Sequence, residues 1–388
     1  MMLISNIFTR FILTMILMFA MALPMLIFYA IGVLGPTLVA DLKIDTGWLG
    51  ILTMSTFGLA SLLSLWAGTL VNNLGTRYSL TLLFWSSMLA YALMALLPGF
   101  VGLLIALLFC GFAQALANPV TNLIIAESVE PRYKAGIVGI KQSGVQVSAL
   151  FAGLCLPVLA FHFGWRGALF TLVPVALILA LLAPRLIVKQ PIKKNRFSVV
   201  KPSKKLSLLM GIQLCVGIVL SSFITFLGVF ASAQGASSTM IGYLIGLFGC
   251  MGMLARVFLT PIGAKMQDES LLLLSLIGLS ILVLLIAPLA SPNRYWPLWL
   301  CAIGMGTTVV ATNAIAMSML LSDKQFGTPA PSAGLLSCGF YAGFTVGPPL
   351  FGWLQSSQYH FSAGWTMLLS VLALGGFLCL RLHIERKA

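Results

Sequence analysis

Apolar residues run along this chain in stretches of about twenty or more, separated by short clusters of charge, Gly and Pro. A helix needs roughly 20 apolar residues to cross the hydrocarbon core of a bilayer, so the pattern predicts twelve membrane-spanning helices. The first six fall at 12–36, 47–68, 79–97, 100–124, 136–160 and 165–184. The second six fall at 207–231, 240–262, 271–290, 297–321, 332–354 and 363–382. The first run continues for about 25 residues beyond Arg10, longer than the apolar region of a secretory signal, and reads as a retained helix. The expected fold is an all-α membrane protein: twelve transmembrane helices in two six-helix bundles, 1–184 and 207–388, joined by a basic linker at 185–206.

Composition agrees with this division. Of the 388 residues, 60% are hydrophobic and 8% charged, against about 25% charged in soluble domains. The net charge of +14 does not point to nucleic acid, because the cations lie in short connections between apolar runs rather than on a solvated face. Eight of the 22 Lys and Arg fall in the 185–206 linker. Lys and Arg accumulate in cytoplasmic loops, so linker and termini are placed on the cytoplasmic side, which then holds 17 cations. The opposite loops hold Lys43, Arg166 and Arg294, and the last two cations, Lys141 and Arg256, fall inside predicted helices. The seven Cys are spread singly through predicted helices without a CxxC pair, so neither disulfides nor zinc is expected. No HExxH or GxxxxGK[ST] motif is present, and His162, His360 and His383 lie at helix ends or in the tail. No enzyme chemistry, metal or cofactor is therefore expected.

The two halves read as copies. At an offset of 195 to 200 residues, Gly47-Trp48-Leu49 meets Gly242-Tyr243-Leu244, Gly68 meets Gly263, Gly111 meets Gly306 and Asn118 meets Asn313. Ala135-Gly136 then meets Ala333-Gly334, and Gly164-Trp165 meets Gly364-Trp365. An ordered set of matches at nearly constant offset is the mark of internal duplication.

Two parallel six-helix repeats joined by a cytoplasmic linker resemble the major facilitator superfamily, whose halves rock about a midplane site. The family's loop motif after the second helix, Gly-x-x-x-Asp-Arg/Lys-x-Gly-x-Arg/Lys, corresponds to Gly68 through Arg77, with Asn72 at the acidic position, Gly75 at the second Gly and Arg77 closing the motif. The resemblance makes these four residues a gating loop that lacks its carboxylate. Leu107, four residues before Gly111, stands where many members place an Arg associated with proton coupling. Gly164-Trp165-Arg166 is similar to the segment that opens the family's sixth helix. The stretch from Asn118 to Arg166 resembles cyanate-permease-like and small-carboxylate branches, which implies a bacterial inner-membrane location. A monomer with both termini cytoplasmic and a small-molecule partner is expected.

An intramembrane cation is costly, roughly 2.5 to 3.5 kcal/mol on the translocon scale, and so marks a functional candidate. Lys141 lies in a polar cluster, Gly139 to Gln146, that includes Gln142, and is a candidate for substrate binding or gating; a Lys snorkelling to the interface is the alternative. Arg256 reads equally as a cavity residue or as one that snorkels or pairs with Asp268 or Glu269. Gln114, Asn118 and Asn122 recur every four residues and share one helix face; they line a cavity or hydrogen-bond between helices as glue. Asn313 offers a weaker polar wall from the second half. Tyr341, Tyr29 and Gln213 are further candidates for substrate contact, with packing as the alternative for each. The eight Asp and Glu all map to loops or helix ends. Cations and amides without a carboxylate point to a small anion moved by alternating access. A drug or metabolite exporter with an apolar cavity, and a non-transporting receptor or assembly factor on the same scaffold, are the competing readings.

Overall fold

The computed structural model describes residues 7–187, 201–266, 268–292, 294–327, 329–356 and 360–387. Most of the predicted linker, 188–200, lies outside them. The described chain is helical throughout: α1 Ile7–Leu42, α2 Trp48–Leu74, α3 Thr76–Leu96, α4 Gly99–Ser128, α5 Pro131–Phe170, α6 Leu172–Leu186, α7 Lys204–Ala233, α8 Ser238–Lys265, α9 Glu269–Leu284, α10 Trp296–Thr307, α11 Val309–Ser322, α12 Pro329–Gln355 and α13 His360–Lys387. Among the described residues, ten stretches are long and apolar enough to cross a membrane, so the protein is multi-pass. One of them, Gly136–Leu186, runs for 51 residues, and within it Gly164 leaves helical geometry at φ 68, ψ 167. That conformation belongs almost exclusively to Gly.

Two departures from the predicted spans have a clear physical cause. The run predicted at 297–321 is divided between α10 and α11 at Thr308. Thr307 Oγ1 donates back to the Ile303 carbonyl at 2.9 Å and Thr308 Oγ1 to that of Gly304 at 2.7 Å. Hydroxyl back-bonding of this kind loosens and bends a helix. The first helix, predicted at 12–36, extends to Leu42. Its end is held by Asp41, whose Oδ2 accepts from Trp165 Nε1 at 2.9 Å and Arg166 Nη1 at 2.8 Å. The Gly164 bend thus presents Trp165 and Arg166 to the end of α1.

The most extensive packing between the chain before residue 188 and the chain after 200 pairs α2 with α12, α5 with α8 and α1 with α7. At the end opposite the termini these pairs touch backbone to backbone. A Cβ on Gly153 would strike the Gly242 carbonyl and the Gly246 amide, and one on Gly228 would strike the Gly32 carbonyl. Gly47 likewise faces the Gly352 carbonyl. Toward the termini the packing relaxes: a Cβ on Gly334 would lie 3.5 Å from the Ser64 carbonyl, and one on Gly68, Gly136 or Gly139 would meet nothing within 4 Å.

The end carrying the termini has its own polar clasp. Arg386 Nη1 reaches Asp268 Oδ1 and Glu269 Oε2, both at 2.9 Å, and Nη2 lies 3.3 Å from Asp323 Oδ2. His383 Nδ1 contacts the other Asp268 oxygen. Partial burial alone pushes the Asp268 carboxyl up. The Ser270 side-chain and backbone hydrogen bonds, with His383 and Arg386, outweigh it and hold the group below its usual value.

Candidate functional site

α4 and α5 build the first part of the site. Gln114, Asn118, Thr121 and Asn122 fall at helical steps of three and four, so they form one stripe along α4. Lys141 on α5 faces that stripe and is 0% exposed. Its ammonium donates to Asn122 Oδ1 at 2.6 Å, to Thr121 Oγ1 at 2.7 Å and to Asn118 Oδ1 at 3.4 Å. Lys141 therefore does not snorkel to the bilayer surface. Three donors meet three neutral oxygens, so its hydrogen-bonding capacity is filled while its charge is not neutralised.

Gln142, the next residue, links Lys141 to the other half of the chain. Its side-chain amide donates to Asn118 Oδ1 at 3.1 Å, and its backbone carbonyl accepts from Arg256 Nη1, on α8, at 2.9 Å. The suggested pairing of Arg256 with Asp268 or Glu269 is not found, since those carboxylates are held by Arg386 and His383. Among the described residues neither Lys141 nor Arg256 enters an ion pair. A second link between the halves comes from α12, where the Tyr341 hydroxyl accepts from Gln114 Nε2 at 3.0 Å and meets the Asn118 side chain. Tyr29 on α1 completes the cluster, its buried hydroxyl near the Gln146 side chain and facing Arg256.

Eight of the ten sequence candidates thus come together: Lys141, Arg256, Gln114, Asn118, Asn122, Gln142, Tyr341 and Tyr29. The other two form a separate pair in the second half, where Asn313 Nδ2 donates to Gln213 Oε1 at 2.9 Å. The loop from Gly68 to Arg77, expected to gate, lies apart from the cluster at the end that carries the termini. There Gly75 turns the chain from α2 to α3 at φ 82, and Arg77 Nε donates to the Pro184 carbonyl at 2.5 Å. Asn72 and Gly68 lie on the last turns of α2, with open space beside Gly68. Sequence reasoning missed two members. Thr121 was legible as the residue that completes the Asn118 and Asn122 face. Gln146 lies four residues after Gln142, so it shares that residue's helix face.

The polar layer is backed by aromatic rings on its side toward the closed end. Phe28, Phe57 and Phe344 come from α1, α2 and α12, with ring centroids 5.6 Å (Phe28 to Phe57), 5.1 Å (Phe28 to Phe344) and 4.5 Å (Phe57 to Phe344) apart. All three are fully buried.

Long apolar helices that meet around buried polar groups mark a polytopic membrane protein. Residues 11–325 match the Major Facilitator Superfamily family model, and the chain belongs to that superfamily. No curated protein matches the chain by sequence. Among solved structures, it is similar to a bacterial homologue of the human lysosomal transporter Spinster in an inward-facing, occupied conformation. That match has 16% identity and a TM-score of 0.75, and covers 98% of each chain. The inward-facing, unoccupied form of the same homologue matches with 16% identity and a TM-score of 0.68, over 97% of this chain and 96% of that one.

Proposed function

We propose that this transporter moves a small organic or inorganic anion by alternating access between two six-helix bundles, 1–184 and 207–388. The observation that carries the reading is the joining of Lys141 and Arg256, one from each half, through Gln142, with no carboxylate in the network. Buried cations are normally paired, because desolvating an ion costs several kcal/mol. Here neutral amides and a hydroxyl hold the ammonium in place, so a bound anion supplies the missing charge. Gln114, Asn118 and Asn122 orient it.

The reading divides the helices into twelve spans, with α5 broken at Gly164 and α10 and α11 forming one. It places the termini and the 185–206 linker in the cytoplasm of a bacterium, as cation placement favours, with the protein monomeric. The cluster offers no carboxylate to carry a proton. The remaining routes are anion exchange, facilitated diffusion, or symport in which substrate or Lys141 carries the proton. The aromatic layer favours a second reading, an exporter of apolar compounds in which the two cations anchor a gate.

A thermal-shift screen of purified protein separates the two. The anion reading expects stabilisation by small anions that disappears in Lys141→Gln. Stabilisation only by lipophilic cations, or anion binding unchanged in Lys141→Gln, overturns it.

A further inference from the structure

The polar atoms of the cluster that lack hydrogen bonds carry more information than those that have them. Three stand out among the described residues: Arg256 Nε, Gln114 Oε1 and Gln146 Oε1. Gln114 is 3% exposed and Gln146 is 1% exposed. Buried polar groups in native proteins are nearly always partnered, so an unpartnered group in a binding site describes what its ligand brings.

The three atoms are not interchangeable. Arg256 Nε is a donor beside an uncompensated charge and calls for an anionic oxygen. The two amide oxygens call for donors, which a simple inorganic anion does not have. Turning either amide over would leave its NH2 end unpartnered and call for an acceptor. A hydroxyl donates and accepts, and so satisfies both orientations.

Placement sets the order of these groups along a substrate. α4 and α5 run in opposite directions, and both amides lie toward the closed end relative to the Lys141 level. Gln114 is four residues before Asn118 and Gln146 five residues after Lys141, which corresponds to about 6 and 7.5 Å of helix rise. Gln146 Oε1 points at Gly252, one turn along α8 from Arg256, where an added Cβ would lie 3.0 Å from it. The anionic head therefore belongs between Lys141 and Arg256, with hydroxyl groups about one helical turn deeper.

We propose that the substrate is a short hydroxylated carboxylate whose carboxylate lies at Lys141 and Arg256 and whose hydroxyls are read by Gln114 and Gln146. This rests on the anion reading above and narrows it. A site built to bond a hydroxyl discriminates strongly against the analogue that lacks one, since its own polar atoms are then left buried and unpaired.

The test is binding to purified full-length protein in lipid nanodiscs, read by thermal shift over a concentration series. The probes are glycerate against propionate, threonate against butyrate, and nitrate and inorganic phosphate alone. Each hydroxylated acid is expected to act at a concentration at least about tenfold below its deoxy partner. Gln146→Leu and Gln114→Leu are each expected to narrow that ratio. Equal potency within each pair in the wild-type protein, or a stronger response to nitrate or phosphate, overturns the proposal whether or not the variants fold. Lys141→Gln separates the two levels. Binding that needs Lys141 but ignores hydroxyls removes only the hydroxy-acid assignment, whereas binding of all probes independent of Lys141 removes the anion reading as well. A wild-type protein that responds to none of the six probes counts against both.

Discussion

Gly153→Val tests the idea that the closed end is sealed by backbone packing rather than by side chains. An ideal Cβ at Gly153 would lie 2.8 Å from Gly246 Cα and nearer still to the Gly242 carbonyl and the Gly246 amide, all on α8. Ordinary contact begins at 3.4 Å and the Gly242 carbonyl lies at 2.3 Å, so α5 must retreat from α8 by about 1.1 Å, and the obstacle is backbone that no rotamer change can remove. Overpacking of this kind costs about 1 to 3 kcal/mol. A penalty of that size confined to the closed arrangement shifts a two-state equilibrium by roughly 5- to 150-fold toward the arrangement in which the helices part. Spin labels at Phe161 and Thr239, exposed at the same end of α5 and α8, report the separation by pulsed electron resonance. Gly153→Val is expected to add or enlarge a long-distance population, with Gly153→Ala intermediate. Gly139→Val serves as the control, since a Cβ there meets nothing within 4 Å. A distance distribution and melting temperature for Gly153→Val that match the control would refute the reasoning.

Three further predictions concern the frame around the site. The Asp268 carboxyl is held below the usual carboxylate value, so the stability it contributes is complete above the unfolded value and is lost as pH falls through the lower folded one. Melting temperature is therefore expected to fall on the acid side of about pH 4, and Asp268→Asn should flatten that slope. Asp41→Ala removes the acceptor shared by Trp165 and Arg166. With the carboxylate 48% exposed, the loss should be about 1 kcal/mol in a denaturant titration, and smaller for Asp41→Asn, which keeps an acceptor oxygen for Trp165. Gly164→Ala places a side chain at φ 68, ψ 167 and should cost about 1 to 3 kcal/mol, read as a lower melting temperature.

The span pattern was legible because each helix must satisfy its backbone internally in lipid, which leaves long apolar runs as the one workable pattern. The site was legible for a related reason: amides and cations stand out against such runs. What hydropathy does not carry is direction around the helix axis in three dimensions. Asn118 and Asn313 occupy equivalent repeat positions, yet Asn118 accepts from Lys141 and Gln142 while Asn313 donates to Gln213. The difference lies in which helix each one faces, α5 for Asn118 and α7 for Asn313. Arg256 was ambiguous for the same reason. Its distance along α8 allowed either the Asp268 loop or the interior, and only the packing of α8 against α5 directs it to the Gln142 carbonyl. The α10–α11 break was hidden in two adjacent Thr, whose hydroxyls compete with the helix from positions that look apolar enough to span.

The network also constrains how substrate binding would act on the two halves. A ligand changes a conformational equilibrium only by its difference in affinity between the states. The bonds from Arg256 to the Gln142 carbonyl and from Gln114 to Tyr341 cross between halves within the cluster itself. An anion that recruits the Arg256 guanidinium competes with the first bond, and a hydroxyl that engages the Gln114 amide competes with or extends the second. On the proposed reading, the groups that recognise substrate are thus the groups that hold the halves together. Weakening the cross-half bonds without removing a cation should then alter affinity. Tyr341→Phe, which removes the hydroxyl that Gln114 bonds and keeps the ring, is expected to change the concentration at which a stabilising anion acts. It should leave in place the loss expected in Lys141→Gln. If Tyr341→Phe leaves that concentration unchanged, the Tyr341 bond is packing alone and coupling between the halves runs through Arg256.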